Sequence, residues 1–155
     1  MSATIVTIEP GARDAWIALL ELADKPEPLR RYLDDSVLYG IVDETRGEPV
    51  AAALVIDLDD NTAELRAVAV AEHAQGTGIG TRIVTEVCDR LRVEGKRIVV
   101  GTASSGTRQL AFYQRLGFRL RRVERDYFNA ARGYPEGLEE NGIPTRDMVW
   151  MDLDD

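Results

Sequence analysis

Val68-Ala69-Val70-Ala71-Glu72-His73-Ala74-Gln75-Gly76-Thr77-Gly78-Ile79-Gly80-Thr81 is the stretch on which the reading of this chain turns. An alternating valine and alanine run enters a polar turn with three glycines, after which Ile79, Ile83, Val84, Val87 and Leu91 recur on one helical face. A strand therefore passes through a turn into a helix N-terminus, where several backbone N–H groups converge and the helix dipole adds about half a positive charge. Glycine allows positive φ and close approach, so a pyrophosphate can be held there without a lysine. A phosphate loop would need Lys and then Ser or Thr after its last glycine, but Gly80 is followed by Thr81 and Arg82. The dinucleotide fingerprint would need a third glycine where Thr81 stands.

Outward from this stretch, strand and helix signals alternate. Thr4–Ile8 reads as a strand broken by Pro10 and Gly11, and Trp16, Leu19, Leu20 and Ala23 fall at helical spacing. Pro26 and Pro28 precede a second short helix from Leu29 to Asp35. Leu38–Val42 and Val50–Leu58 read as an antiparallel hairpin around Gly47, and Ala63–Val70 adds a third strand after the Asp59-Asp60-Asn61 turn. Beyond the helix that Gly95 ends, Ile98–Val100 reads as a short buried strand. Thr107–Leu116 follows as a helix stopped by Gly117, and Phe118–Val123 and Met148–Leu153 as the last strands. Residues 126–147 are loop-rich, longer than a turn needs, and so a candidate functional segment. The expectation is an α/β (α+β) fold, a mixed and mostly antiparallel sheet of six to seven strands with helices on both faces, formed by residues 1–155 as one domain.

Composition narrows the function classes. Hydrophobic residues make up 45% and charged residues 30%, enough apolar side chain to bury a core. The formal charge of −8 argues against nucleic acid as a partner, since phosphate backbones are gripped by Lys and Arg. Val50–Ile56, the longest purely apolar run, has seven residues, far short of the roughly 20 that span a bilayer. No secretory signal is visible at the N-terminus, and a cytoplasmic protein without a membrane partner is expected. Cys88, the single cysteine, falls on the apolar stripe with Val84 and Val87, as a buried small hydrophobe does. His73, the single histidine, sits in a polar turn, and a metal centre is not expected.

Gln75-Gly76-Thr77-Gly78-Ile79-Gly80 resembles the Gln/Arg-x-x-Gly-x-Gly/Ala signature of the Gcn5-related N-acetyltransferases (GNAT). Further along, Gln109-Leu110-Ala111-Phe112-Tyr113-Gln114-Arg115-Leu116-Gly117-Phe118 is similar to their tyrosine helix with its Leu-Gly-Phe exit. Glu64–Val70 and Ile98–Val100 stand where the family has its fourth and fifth strands. The resemblance covers essentially the whole chain and departs from the family in two places. Thr102-Ala103-Ser104-Ser105-Gly106 lacks the asparagine frequent after the fifth strand, and Ala67 stands where many relatives have a polar residue.

What the resemblance implies is transfer of an acetyl group from acetyl-CoA to a primary amine by direct attack. The cofactor contacts would be Val68, Ala69 and Val70, pairing with pantetheine, and Gln75, Gly76, Thr77, Gly78, Ile79, Gly80 and Thr81 around the phosphates. Arg108 and Arg115 are further candidates for phosphate contacts. Three chemical tasks remain: an oxyanion donor, an acid for the leaving thiolate and a base for the amine. The family pattern points to the backbone N–H of Val68, at a bulge of the fourth strand, for the first and to Tyr113 for the second. Glu64, four residues before Val68 and so on its side of a regular strand, matches the base of some members. The acceptor expected is a small-molecule or peptide amine, cationic, drawn by Glu136, Glu139 and Glu140 and faced by Tyr127, Phe128 and Tyr134. A homodimer stays open. So do a CoA-binding module without turnover and transfer to a hydroxyl or of a longer acyl chain.

Overall fold

Ile5–Ile8 (β1) opens the described part of the chain, residues 4–153 of a computed structural model. The region after it departs from the helix that its spacing suggests. Two 3-10 turns, Pro10–Ala12 and Asp14–Trp16, lead into a single α-helical turn, Ile17–Leu20 (α1). Trp16, Leu19 and Leu20 are nevertheless buried together. The next helix begins earlier than Leu29: Pro26–Tyr32 (α2) has proline in its first turn, where the missing N–H would be unpaired anyway. Proline also holds Lys25 extended at φ −73° and ψ 152°, which keeps α1 and α2 from fusing. Leu33–Asp35 finishes as a 3-10 turn.

The meander follows as expected: Val37–Asp43 (β2), Glu48–Asp57 (β3) and Thr62–Val70 (β4) pair in antiparallel order. Ile79–Val93 (α3) then carries the chain over to Arg97–Ala103 (β5), which lies parallel to β4. Thr107–Arg115 (α4) connects to Phe118–Glu124 (β6), and Met148–Leu153 (β9) inserts between β5 and β6. The sheet has seven strands in the order β1-β2-β3-β4-β5-β9-β6. The segment expected as irregular contains its own small hairpin, Glu139–Glu140 (β7) with Ile143–Pro144 (β8), turned by Asn141 and Gly142 at positive φ. No described helix is long and apolar enough to cross a membrane.

Among the described residues two large clusters cover the two faces of the sheet, and a smaller one lies around Tyr127, Tyr134 and Met148. On one face α3 lays Ile79, Ile83, Val84, Val87, Cys88 and Leu91 against β3, β4 and β5. Burial pushes the Cys88 thiol up to about 12, consistent with a packing role. On the opposite face α1 and α2 pack Leu20, Leu29 and Leu33 against Leu38, Leu54, Ala67 and Ala69.

One irregularity in β4 governs the site. Leu54 pairs with Ala67 but Val55 pairs with Leu65, so Arg66 is the extra residue of a β-bulge. The bulge was expected at Val68 and falls two residues earlier. It also inverts the alternation: Ala63 and Leu65 belong to the α3 face with Val68 and Val70, whereas Ala67 and Ala69 face α1 and α2. Glu64 pairs with Ile56, which packs on that second face, so Glu64 and Val68 point to opposite sides of β4. The period-two argument that put them on one side fails because a bulged strand is not a two-residue repeat.

Candidate active site

Beyond Leu65 the pairing of β4 with β5 stops, while β5 continues beside β9 as far as Ala103. The two central strands thus part, and the gap between them runs into two cavities, one on the side of the glycine turn and one on the side of residues 126–147.

The first cavity has a volume of about 760 Å³ and is bounded by Ala69 and Val70 of β4, by the glycine turn and by one face of α4. Gln75 folds back on the strand, its Nε2 donating to the Val70 carbonyl at 3.1 Å, and the Thr77 hydroxyl donates to the Ala74 carbonyl. Gly76 and Gly78 take φ of 78° and 86°, which disfavours any side chain. Gly78 is the N-cap of α3, and no side chain caps that helix, so its first-turn N–H groups stay directed at the cavity side. A Cβ on Gly76 or Gly78 would meet nothing within 4 Å, which means the turn presents bare backbone over open space. This is a cradle that fits a pyrophosphate. Gly80 serves packing as well: a Cβ there would stand 3.3 Å from Val70 Cγ2. Gln75, Gly76, Gly78, Gly80 and Thr81 line the cavity, as do Arg108 and Arg115. Thr77 and Ile79 do not, since the hydroxyl of one braces the turn and the side chain of the other is in the core; only their backbone is left for a ligand.

The second cavity, about 380 Å³, is walled by residues 21–25, by Glu64–Val68, by the end of β5 and by the segment from Tyr127 to Met148. Leu22, Val68, Gln109 and Tyr113 line both cavities and mark where they meet. Tyr113 is 7% exposed and stands edge-on to Phe112 and Phe118, with ring centroids 5.0 and 5.5 Å away. Burial pushes its phenol up, so it holds a proton at neutral pH. Packing on the helix stripe and a position at the junction are both true of it.

Glu64 is 4% exposed and lines the second cavity alone. Burial pushes its carboxyl above the ordinary value, against the opposing pull of Arg66, whose Nη1 donates to Glu64 Oε2 at 3.2 Å. Arg66 lies over the Tyr32 ring, 4.8 Å from its centroid. Neither Arg66 nor Tyr32 stands out in the sequence. Arg66 falls two residues after Glu64 and shares its face, but nothing in the residues marks it as a bulge position, and Tyr32 looks like one more stripe position on α2. Gln109 is missed for a similar reason, since its place on α4 reads as solvated.

Among the acidic residues expected at the mouth, Glu139 and Glu140 line the second cavity and Glu136 does not. Glu21, Asp24 and Glu64 add three carboxylates to the lining against Lys25 and Arg66. Tyr127, Phe128 and Tyr134 line it too, and they also pin the segment to the sheet through Trp150 and Met148. His73 is exposed in the 3-10 turn Glu72–Ala74.

Comparison with known proteins fits this architecture. Residues 9–118 match the model of the family described as "Acetyltransferase (GNAT) family". The chain is 34% identical over 144 residues to the uncharacterized N-acetyltransferase YvbK of Bacillus subtilis (strain 168), covering 91% of this chain and 90% of that protein. A GNAT family acetyltransferase from Elizabethkingia anophelis, solved with acetyl-CoA bound, superposes with a TM-score of 0.88 at 31% identity over 98% of this chain and 97% of its own. The IAA acetyltransferase from Bacillus cereus ATCC 14579 gives a TM-score of 0.86 at 32% identity over 98% and 99%. With an uncapped glycine turn on one side of the strand opening, a tyrosine helix on the other and relatives of this extent, the chain belongs to the GNAT family and is an acetyl-CoA-dependent N-acetyltransferase.

Proposed function

We propose that this protein transfers acetyl from acetyl-CoA, held in the larger cavity, to a cationic primary amine in the smaller one, by direct attack at their junction. The observation that carries this reading is that the two cavities share Val68 and Tyr113, so a thioester reaching from one meets an amine arriving from the other at a backbone N–H and a protonated phenol.

The roles follow from position. The first-turn backbone of α3 and the glycines from Gly76 to Gly80 take the pyrophosphate, with Gln75 and Thr77 keeping the turn in shape and Thr81 beside it. Val68, Ala69 and Val70, beyond the last β5 partner, have a free edge along which pantetheine extends as a pseudo-strand. The Val68 N–H meets the carbonyl oxygen as it gains negative charge, and a fixed donor at that point stabilises the transition state most. Glu64 takes the proton of the amine, and Tyr113 returns one to the departing sulfur. Since Glu64 points to the opposite side of β4 from Val68, its proton transfer runs across the strand's edge within the acceptor cavity.

The acceptor is cationic because five carboxylates face two cations in the lining, and aromatic rings stand beside them. Release of free thiol from acetyl-CoA in the presence of a mixed pool of cationic, neutral and acidic amines tests the proposal. Thiol release with cationic amines is the expected result; release only with acidic amines, or none beyond the rate without amine, defeats it.

A further inference from the structure

Resting on the acyl-transfer reading, we propose that the acceptor is a small free amine and that polypeptides are excluded, because the walls of the acceptor cavity are tied to each other by Asp24. This residue lies in the connection between α1 and α2 and lines the cavity. Its Oδ2 accepts from the Tyr32 hydroxyl at 2.7 Å, and its Oδ1 accepts from the Tyr134 hydroxyl at 2.8 Å. Both phenols are buried and burial pushes both up, so each keeps the proton that it donates.

The tie is repeated beside the cavity. Arg31 of α2 donates to the Ala131 carbonyl at 2.6 Å. Gly133 lies against the Glu27 carboxylate, which a Cβ there would displace, and its φ of 89° favours glycine. At its other end the same segment is held to the start of α4: Asn141 Nδ2 donates to the Ser105 carbonyl at 2.9 Å, and the Ser105 and Thr145 hydroxyls lie 2.9 Å apart.

A wall anchored at both ends holds the width of the cavity beside it. Peptides are recognised along open grooves or sheet edges, where residues flanking the reacting one lie against protein. Small ligands are taken in concave sites of about 300–1,000 Å³ that cover most of their surface. At about 380 Å³ and bridged by Asp24, the acceptor cavity has the size of the second kind. A chain extending from the acetylated amine would have to pass between walls that are bonded to each other.

Conjugates that join the sulfur of coenzyme A through an acetyl bridge to a short diamine, to the N-terminus of a short peptide or to a lysine side chain of that peptide give the test. Each is titrated against the protein and compared with coenzyme A itself. The diamine conjugate is expected to bind more tightly than either peptide conjugate by at least about tenfold. In Tyr134→Phe combined with Arg31→Ala, which removes bonds from the bridge and keeps the ring, that ratio should narrow by about threefold or more. Tyr134→Phe alone, a loss of one hydroxyl, serves where thermal melting shows that the double variant does not fold. Peptide conjugates that bind the unaltered protein as well as the diamine conjugate overturn the inference and leave acyl transfer standing, as does a ratio untouched by the substitutions. If coenzyme A itself does not bind, the acyl-transfer reading falls and takes the inference with it.

Discussion

The glycine turn proposed for the cofactor and the cavity proposed for the acceptor are built on opposite principles. Residues 75–81 form one continuous stretch in which three residues are glycine, Gln75 and Thr77 fold back and Ile79 is in the core, so the groups it offers are mainly backbone N–H. The acceptor cavity is made from separated stretches, residues 21–25, 64–68, 100–103 and 127–148, and what it offers is side chain. A backbone site depends on φ and on empty space above it. A side-chain site depends on which charges meet, and here Asp24 meets Tyr134 across 110 residues. The difference separates a part that offers the same donors whichever side chains surround it from a part whose character follows residue by residue from its lining.

Tyr113 stands where the two regions meet, and its replacement should have the largest effect. Tyr113→Phe removes the hydroxyl and keeps the ring between Phe112 and Phe118. A kcat lower by about 10²–10⁴-fold is expected, the range for a positioned acid, with cofactor affinity and melting temperature nearly unchanged. Unaltered kcat would assign Tyr113 to the core. Next in size is Gly78→Val, which touches the turn alone. Acetyl-CoA at a hundredfold excess over its Kd adds about 2.7 kcal/mol, a rise in Tm of about 5–10 °C for a chain of this size. At φ 86° valine is strained and its side chain stands over the cradle, so that rise should vanish. Melting curves with acetyl-CoA, NAD and ATP check both the family assignment and the turn.

How far each region could be seen in the sequence follows the same division. The glycine turn, the α3 stripe and the tyrosine helix are local patterns, and all three stand where the residues put them. The meander was legible because its alternation is broken by strong turns at Gly47 and Asn61. What was lost was lost for identifiable reasons. Proline at the start of α2 reads as a separator in the sequence but serves as the first helical residue, so the helix begins three residues before Leu29. A bulge costs one unpaired residue and leaves no mark in composition, so the shift to Arg66 and the reversal of Glu64 relative to Val68 were invisible. The hairpin β7–β8 is held by Asn141 against the start of α4, a tertiary contact that no local pattern encodes.

Glu64 and Arg66 sharpen the comparison within the acceptor side. As a base Glu64 works only unprotonated, so the rate should fall as pH drops through its pKa. Burial raises that pKa and Arg66 lowers it. Glu64→Gln should therefore flatten the acidic limb of the kcat/KM profile, whereas Arg66→Met should move it to higher pH by about one unit or more. Arg66→Lys, which keeps the charge, should leave it near its original place. A uniform loss at every pH in all three variants would make the pair structural.

The smallest effect expected is on the acceptor's apparent KM, and it separates attraction from shape. Glu139 and Glu140 line the cavity from the hairpin β7–β8, partly or fully open to water, so their pull on a cationic acceptor is screened by salt. The Debye length falls from about 10 Å at 0.1 M to about 3 Å at 1 M salt, and KM should rise by a few fold over that range. Reversing both charges with Glu139→Lys and Glu140→Lys should raise KM at low salt and make it nearly independent of salt. kcat should change little, because neither residue lies at the junction of the cavities that Val68 and Tyr113 form. A control is available in Glu136→Lys, which alters net charge equally per residue but lies outside the cavity lining and should leave the salt dependence in place. If Glu136→Lys acts like the other two, the acidic residues work through the field of the whole protein. If none of the three alters KM, recognition rests on the walls around Asp24 and on the aromatic faces of Tyr127, Phe128 and Tyr134, and the cationic preference is lost as an explanation.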